Sequence, residues 1–127
     1  MINYATVGSR RLDEARRFYD ALLGSIGMAP MFDHPSGGRV YTSPDHRWFG
    51  VLGPYDGGEA CVGNGSMVGF MLDTREKVRD FHAKAVELGG KCEGEPGIRG
   101  PEEMGLYFAY VRDLDGNKLC AYRVGPE

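Results

Sequence analysis

The sequence predicts an α+β fold made of two tandem βαβββ units around a shared groove. Three observations predict it. A strand–helix–three-strand order occurs twice, a near-constant spacing aligns the two copies, and the chain of 127 residues fits one domain. Residues 2–8 (INYATVG) read as the first strand. Residues 12–26 then place Leu12, Ala15, Phe18, Tyr19, Leu22, Leu23 and Ile26 at helical spacing. Asp13 and Glu14 fall in the first turn, where the helix dipole favours carboxylates, and Gly24 and Gly27 bracket the end. Extended stretches follow at about 28–33, 38–43 and 47–53, separated by the turn clusters HPSGG and SPDH. A glycine-rich connection, 54–66, leads into the second copy. Its strand is MVGFMLD (67–73). Asp73 or Thr74 caps the next helix, with Glu76 placed for a capping box. Val78, Phe81, His82, Ala85 and Val86 form the buried stripe of that helix, and Gly89–Gly90 stops it. Strands are expected near 90–95, 105–112 and 117–124, with a polar loop at 96–104.

The two copies can be set in register. Phe18 aligns with Phe81, a spacing of 63, which carries Tyr4 onto Met67 and Val7 onto Phe70. Near the end of each copy, Trp48, Phe49 and Gly50 align with Lys118, Leu119 and Cys120, a spacing of 70. The second copy therefore holds about seven extra residues, which the 96–104 loop is expected to absorb. One copy cannot cover both faces of its own sheet, so two must pack together. The expectation is a single domain over residues 1–127, with units of approximately 1–54 and 66–127.

Composition removes several function classes. A net charge of −3 offers no electrostatic footprint for nucleic acid or an anionic membrane surface. No stretch approaches the roughly 20 apolar residues of a membrane span. The start MINYATVGSRR places its basic residues on the wrong side for a signal peptide, so a cytoplasmic location is expected. Three cysteines, Cys61, Cys92 and Cys120, are widely spaced without a CxxC pair, which argues against a disulfide framework or a zinc knuckle. The glycine run 57–65 fits no phosphate-cradling motif. Asp115-Gly116 and Gly116-Asn117 are strong turn pairs, and Asp113 can accept from amides across that turn.

RRFYDALLGSIG resembles the first-helix motif of the vicinal oxygen chelate superfamily, which unites glyoxalases, bleomycin-resistance proteins and extradiol dioxygenases. VRDLDGNKLCAY is similar to that superfamily's last hairpin, usually DPDGN followed by a hydrophobic residue and glutamate. The resemblance covers essentially the whole chain and implies a half-open mixed β-sheet barrel with its helices outside. It departs at Leu114, where proline is usual, and at Cys120, where metal-dependent members have glutamate.

In those members each unit supplies two metal ligands, one from its first strand and one from its last. Transferred one position at a time, they fall on Tyr4, Met67, Gly50 and Cys120. Glycine has no donor, a thioether is a poor ligand for hard ions, and a phenol and a thiol are mostly protonated at neutral pH. No metal site and no cofactor are therefore expected. The pocket candidates are Tyr4, Trp48, Gly50, Met67, Arg99, Cys120 and Tyr122, with Thr6, Leu52 and Gly69 beside them. Glycines 50 and 69 are expected to make room for a ligand. Arg99, in the loop, is either a solvated arginine or a group that swings over the groove onto a carboxylate or phosphate. Cys120 lacks an obvious histidine to activate it as a nucleophile, and His82 reads as a core or boundary residue. His34 and His46 read as exposed turn residues.

The resemblance implies a protein in the manner of the bleomycin-resistance members, binding a small apolar or aromatic molecule without the usual divalent metal. The alternative is a metal-dependent lyase of glyoxalase I (lactoylglutathione lyase) type, or a related dioxygenase, with an atypical site at Tyr4 and Cys120. A homodimer is expected, with no nucleic-acid or membrane partner.

Overall fold

The computed structural model describes residues 1–127, in two compact units, Met1–Asn64 and Gly65–Glu127. In the first, strand β1 (Tyr4–Gly8) leads to helix α1 (Leu12–Gly24), followed by β2 (Ala29–Asp33), β3 (Arg39–Thr42) and β4 (Trp48–Leu52). In the second, β5 (Val68–Met71) leads to α2 (Arg75–Glu87), then β6 (Lys91–Ile98), β7 (Leu106–Arg112) and β8 (Lys118–Val124). The strands form two four-stranded mixed sheets, ordered β1-β4-β3-β2 and β5-β8-β7-β6, and neither closes into a barrel. The first strand of each unit runs parallel to the last, and the remaining pairs are antiparallel. No helix is long and apolar enough to cross a membrane.

The register carries the duplication. Ala5 pairs with Phe49 in the first sheet, and Val68 with Leu119 in the second. These are the spacings of 63 and 70 expected from sequence. The helices coincide under the shift of 63 as well, Leu12–Gly24 becoming Arg75–Glu87. Even a bulge recurs, between Pro30 and Phe32 in β2 and between Cys92 and Gly94 in β6. Both bulged strands lie at a sheet edge, where proline is tolerated because no neighbour needs its missing N–H.

Each sheet buries one face against its own helix. In the first unit Ala15, Phe18, Tyr19, Leu22 and Leu23 of α1 pack on Tyr41, Phe49 and Val51, all nearly inaccessible to solvent. The Tyr41 hydroxyl donates to Asp20 Oδ1 at 2.7 Å, with the Arg16 carbonyl 3.2 Å away, so this buried phenol is satisfied on the helix. In the second unit Val78, Phe81 and Ala85 meet Val111, Leu119 and Ala121. Phe70 joins them, its ring centroid 5.6 Å from that of Phe81.

Three local expectations need correction. Of the two expected caps, Thr74 holds α2, accepting from the Lys77 N–H at 3.1 Å, so the capping box falls away. That puts Glu76 one position short of the reciprocal capping-box site. Val86 is exposed, because the apolar stripe of α2 ends at Ala85. The 96–104 segment is not one loop. β6 continues to Ile98, a second bulge between Gly94 and Gly97 absorbs a residue, and a short 3-10 turn at Glu102–Met104 takes up more.

Candidate functional site

The helix-distal face of the second sheet gathers an aromatic platform. Alternation along β7 sends Tyr107, Ala109 and Val111 to the helix and Phe108, Tyr110 and Arg112 to the opposite face. Cross-strand pairing then sets Phe108 opposite Tyr122, and Tyr110 opposite Cys120. The Phe108 and Tyr122 rings stack 4.9 Å apart with planes 10° from parallel, and Tyr110 continues the stack at 6.0 Å from Phe108. Two cations lie over Tyr110: the Arg99 guanidinium at 5.4 Å and the Lys118 ammonium at 5.1 Å. Phe108, Tyr110 and Tyr122 are half-buried, so their rings are only partly covered.

Arg99 differs from its expected setting in a loop. Its backbone N–H bonds the Leu106 carbonyl at 2.8 Å, so it extends the β6–β7 hairpin and does not hang in a loop. Its side chain donates to the Glu95 carbonyl at 2.6 Å. Gly94 and Gly97 make its berth, since a Cβ on either would stand 3.3 and 3.1 Å from the guanidinium nitrogens.

The two expected space-making glycines also have a different use. A Cβ at Gly69 would lie 3.0 Å from Cys120 Sγ and 3.3 Å from the Tyr122 ring. At Gly50 it would meet Thr6 and Leu52 at 3.3 and 3.5 Å. Both glycines make room for neighbouring side chains. In the first sheet, Tyr4 and Trp48 pair directly in register and meet edge to face at 5.7 Å, both about half-exposed. Met67 immediately precedes β5 and is exposed.

The structure thus joins Tyr4 to Trp48 in one unit, and Cys120 to Tyr122 and Arg99 to Tyr110 in the other. Phe108, Tyr110 and Lys118 were absent from the sequence-predicted set. The alternation in LYFAYVR held the signal for the first two.

The family's metal positions do not fit an ion. Gly50 offers no donor and Met67 only a thioether. Cys120 is 1% exposed, burial pushes its thiol up to about 11 with Lys118 opposing, and it stands in no group of three His, Cys, Asp or Glu ligand atoms. That leaves one phenol, Tyr4, engaged with Trp48.

The profile of the Glyoxalase/Bleomycin resistance protein/Dioxygenase superfamily matches residues 1–121. Among solved structures, the chain is similar to a glyoxalase/bleomycin resistance protein from Albidiferax ferrireducens T118, with 41% identity, a TM-score of 0.87 and 99% of each chain covered. It is similar in fold to a glyoxalase/bleomycin resistance protein/dioxygenase family enzyme from Burkholderia phytofirmans PsJN, with 16% identity, a TM-score of 0.75, and 97% of this chain and 98% of that one covered. Lactoylglutathione lyase from Agrobacterium tumefaciens is likewise similar in fold, at 19% identity and a TM-score of 0.71, with 97% of this chain and 92% of that one covered. No curated protein sequence matches. With the duplicated βαβββ order, the paired strand registers and a profile that runs from residue 1 to residue 121, the chain belongs to the Glyoxalase/Bleomycin resistance protein/Dioxygenase superfamily.

Proposed function

We propose that this protein binds a small aromatic or apolar molecule on the helix-distal face of its second sheet, without a divalent metal at the family's usual positions. The carrying observation is the partly uncovered Tyr110–Phe108–Tyr122 stack with two cations at one end. Flat π-faces take an aromatic ligand by offset stacking, which supplies affinity with little side-chain ordering cost. Arg99 and Lys118 add selectivity for a ligand that also carries a carboxylate, since a charge-assisted contact there is stronger than a neutral one. Binding or sequestration, in the manner of bleomycin-resistance proteins, needs no more than this. The glyoxalase I type of lyase reaction would need a donor set that Tyr4, Gly50, Met67 and Cys120 do not supply.

Thermal-shift and calorimetric titrations with aromatic carboxylates and their neutral amides test the reading. Binding is expected to stabilise the fold in proportion to the logarithm of ligand excess. Phe108→Ala is expected to weaken both ligand classes, and Arg99→Ala the carboxylates alone, by roughly tenfold. Equal binding by wild type and Phe108→Ala would remove the platform from the account. A divalent metal whose retention depends on Tyr4 or Cys120 would instead favour the lyase reading.

A further inference from the structure

Away from the aromatic face, on the side of the second sheet that meets α2, three potential ligand atoms converge. His82 Nε2 lies 3.3 Å from Cys92 Sγ, and the Cys92 thiol donates to Glu95 Oε1 at 3.4 Å. The imidazole nitrogen, the sulfur and a carboxylate oxygen all stand within 4.8 Å of one another. His82 is buried beneath α2, whereas Cys92 and Glu95 are exposed, so the cluster has a fixed floor and an open mouth.

The arrangement depends on the irregularity of β6. In a regular strand, residues three apart point to opposite faces. Cys92 pairs with the buried Val111, on the helix side, and the next pairing is Gly94 with Tyr110. The extra residue shifts the alternation and brings Glu95 round to the side of Cys92. One turn of bulged edge strand thereby presents a thiol and a carboxylate to a histidine held on the helix.

We propose that His82, Cys92 and Glu95 form a binding site for a borderline-soft divalent cation of the zinc class, distinct from the family's metal positions. The donor set, one imidazole, one thiolate and one carboxylate, is of the kind zinc takes. With ordinary zinc bond lengths, the sulfur–nitrogen and sulfur–oxygen edges of a tetrahedral site are about 3.6 Å. The observed edges need to open by only a few tenths of an ångström. Three protein ligands leave the fourth position to water, consistent with the open side. Binding replaces the thiol proton, which now sits toward Glu95, and releases it to solvent. Calcium and magnesium are disfavoured, because only one of the three donors is an oxygen.

The experiment is a calorimetric titration of zinc chloride into the reduced, chelator-stripped full chain, repeated with cobalt and read by absorbance. One saturable equivalent is expected, with a cobalt–thiolate charge-transfer band. Cys92→Ser and Glu95→Gln alter exposed side chains, so both are expected to fold. Each is expected to weaken zinc binding by roughly tenfold or more, and Cys92→Ser to abolish the band. Cys61→Ser is expected to keep both signals. No saturable uptake, or uptake and a band that persist in Cys92→Ser, would overturn the assignment. None of these substitutions touches the aromatic platform, so either proposal can fail alone.

Discussion

His46 is the one residue other than glycine with a positive φ, at 64°. The position is the first-unit counterpart of Gly116, whose φ is 93°. Both close the same turn. Ser43 N–H bonds the Arg47 carbonyl at 2.9 Å and His46 N–H the Ser43 carbonyl at 3.0 Å. In the second unit, Asp113 and Asn117, then Gly116 and Asp113, repeat the pattern at 2.9 and 3.1 Å. The side chains differ: Asp113 Oδ1 accepts from the Asp115 and Asn117 amides, whereas Ser43 Oγ accepts from the Arg47 amide alone. The second turn was legible because Gly and Asn tolerate that backbone, and the first was legible only as a turn, since nothing in SPDHRW marks which residue goes left-handed. An L-residue there is strained by about 1–2 kcal/mol, part of which glycine returns as unfolded-state entropy. His46→Gly is therefore expected to stabilise the protein by about 0.5–1 kcal/mol. The readout is a higher urea midpoint at unchanged slope; an unmoved or lower midpoint would show that the strain is not there.

At the scale of the element, the helices were the most legible parts and β6 the least. The stripes Ala15–Phe18–Tyr19–Leu22–Leu23 and Val78–Phe81–His82–Ala85 fix face and length together, because burial repeats every three to four residues. PGI, residues 96–98, reads as the start of a loop, since glycine and proline break the alternation that marks a strand. It is a strand because it lies at an edge, where bulges and Pro96 break no essential hydrogen bond, and because Gly94 and Gly97 admit Arg99. The α2 cap shows the same limit on a smaller scale. Asp73 and Thr74 are both good caps by composition, and the fold chooses Thr74 while Asp73 pairs with Lys77 at 3.0 Å. Thr74→Ala is expected to destabilise the protein by about 1 kcal/mol, and Thr74→Ser to retain most of the stability. Equilibrium urea unfolding of the two variants checks this, and a loss below a few tenths for alanine would mean that another group satisfies the Lys77 amide.

Across the whole molecule, transfer of positions from the family located the sheets correctly and reached only part of the second sheet's aromatic face. Metal-site logic directs attention to β1, β4, β5 and β8, and so to Tyr4, Trp48, Cys120 and Tyr122. Phe108 and Tyr110, on the neighbouring β7, needed the strand's own alternation. The burial of Cys120 has a consequence for global stability. Its thiol stands near 9.0 ordinarily and is pushed up to about 11 in the folded chain, chiefly by desolvation. Tyr41 is raised too, by burial and then by the bond it donates to Asp20. Both groups are acids that the fold holds in the protonated form. Below pH 9 the folded and unfolded chains keep these protons alike, and this contribution to stability is fully present. As pH rises from 9 toward 11, the unfolded chain releases the Cys120 proton while the folded chain retains it, so unfolding becomes progressively easier. A shift of that size corresponds to at most about 2–3 kcal/mol for Cys120. Denaturant melts of wild type and Cys120→Ala at pH 7.5 and 10.5, on reduced protein, are expected to show a steeper loss for wild type by about 1–2 kcal/mol. The Tyr41 contribution is common to both chains and cancels in the comparison. Parallel losses in the two proteins would mean that the Cys120 thiol ionises as readily in the folded chain as in the unfolded one.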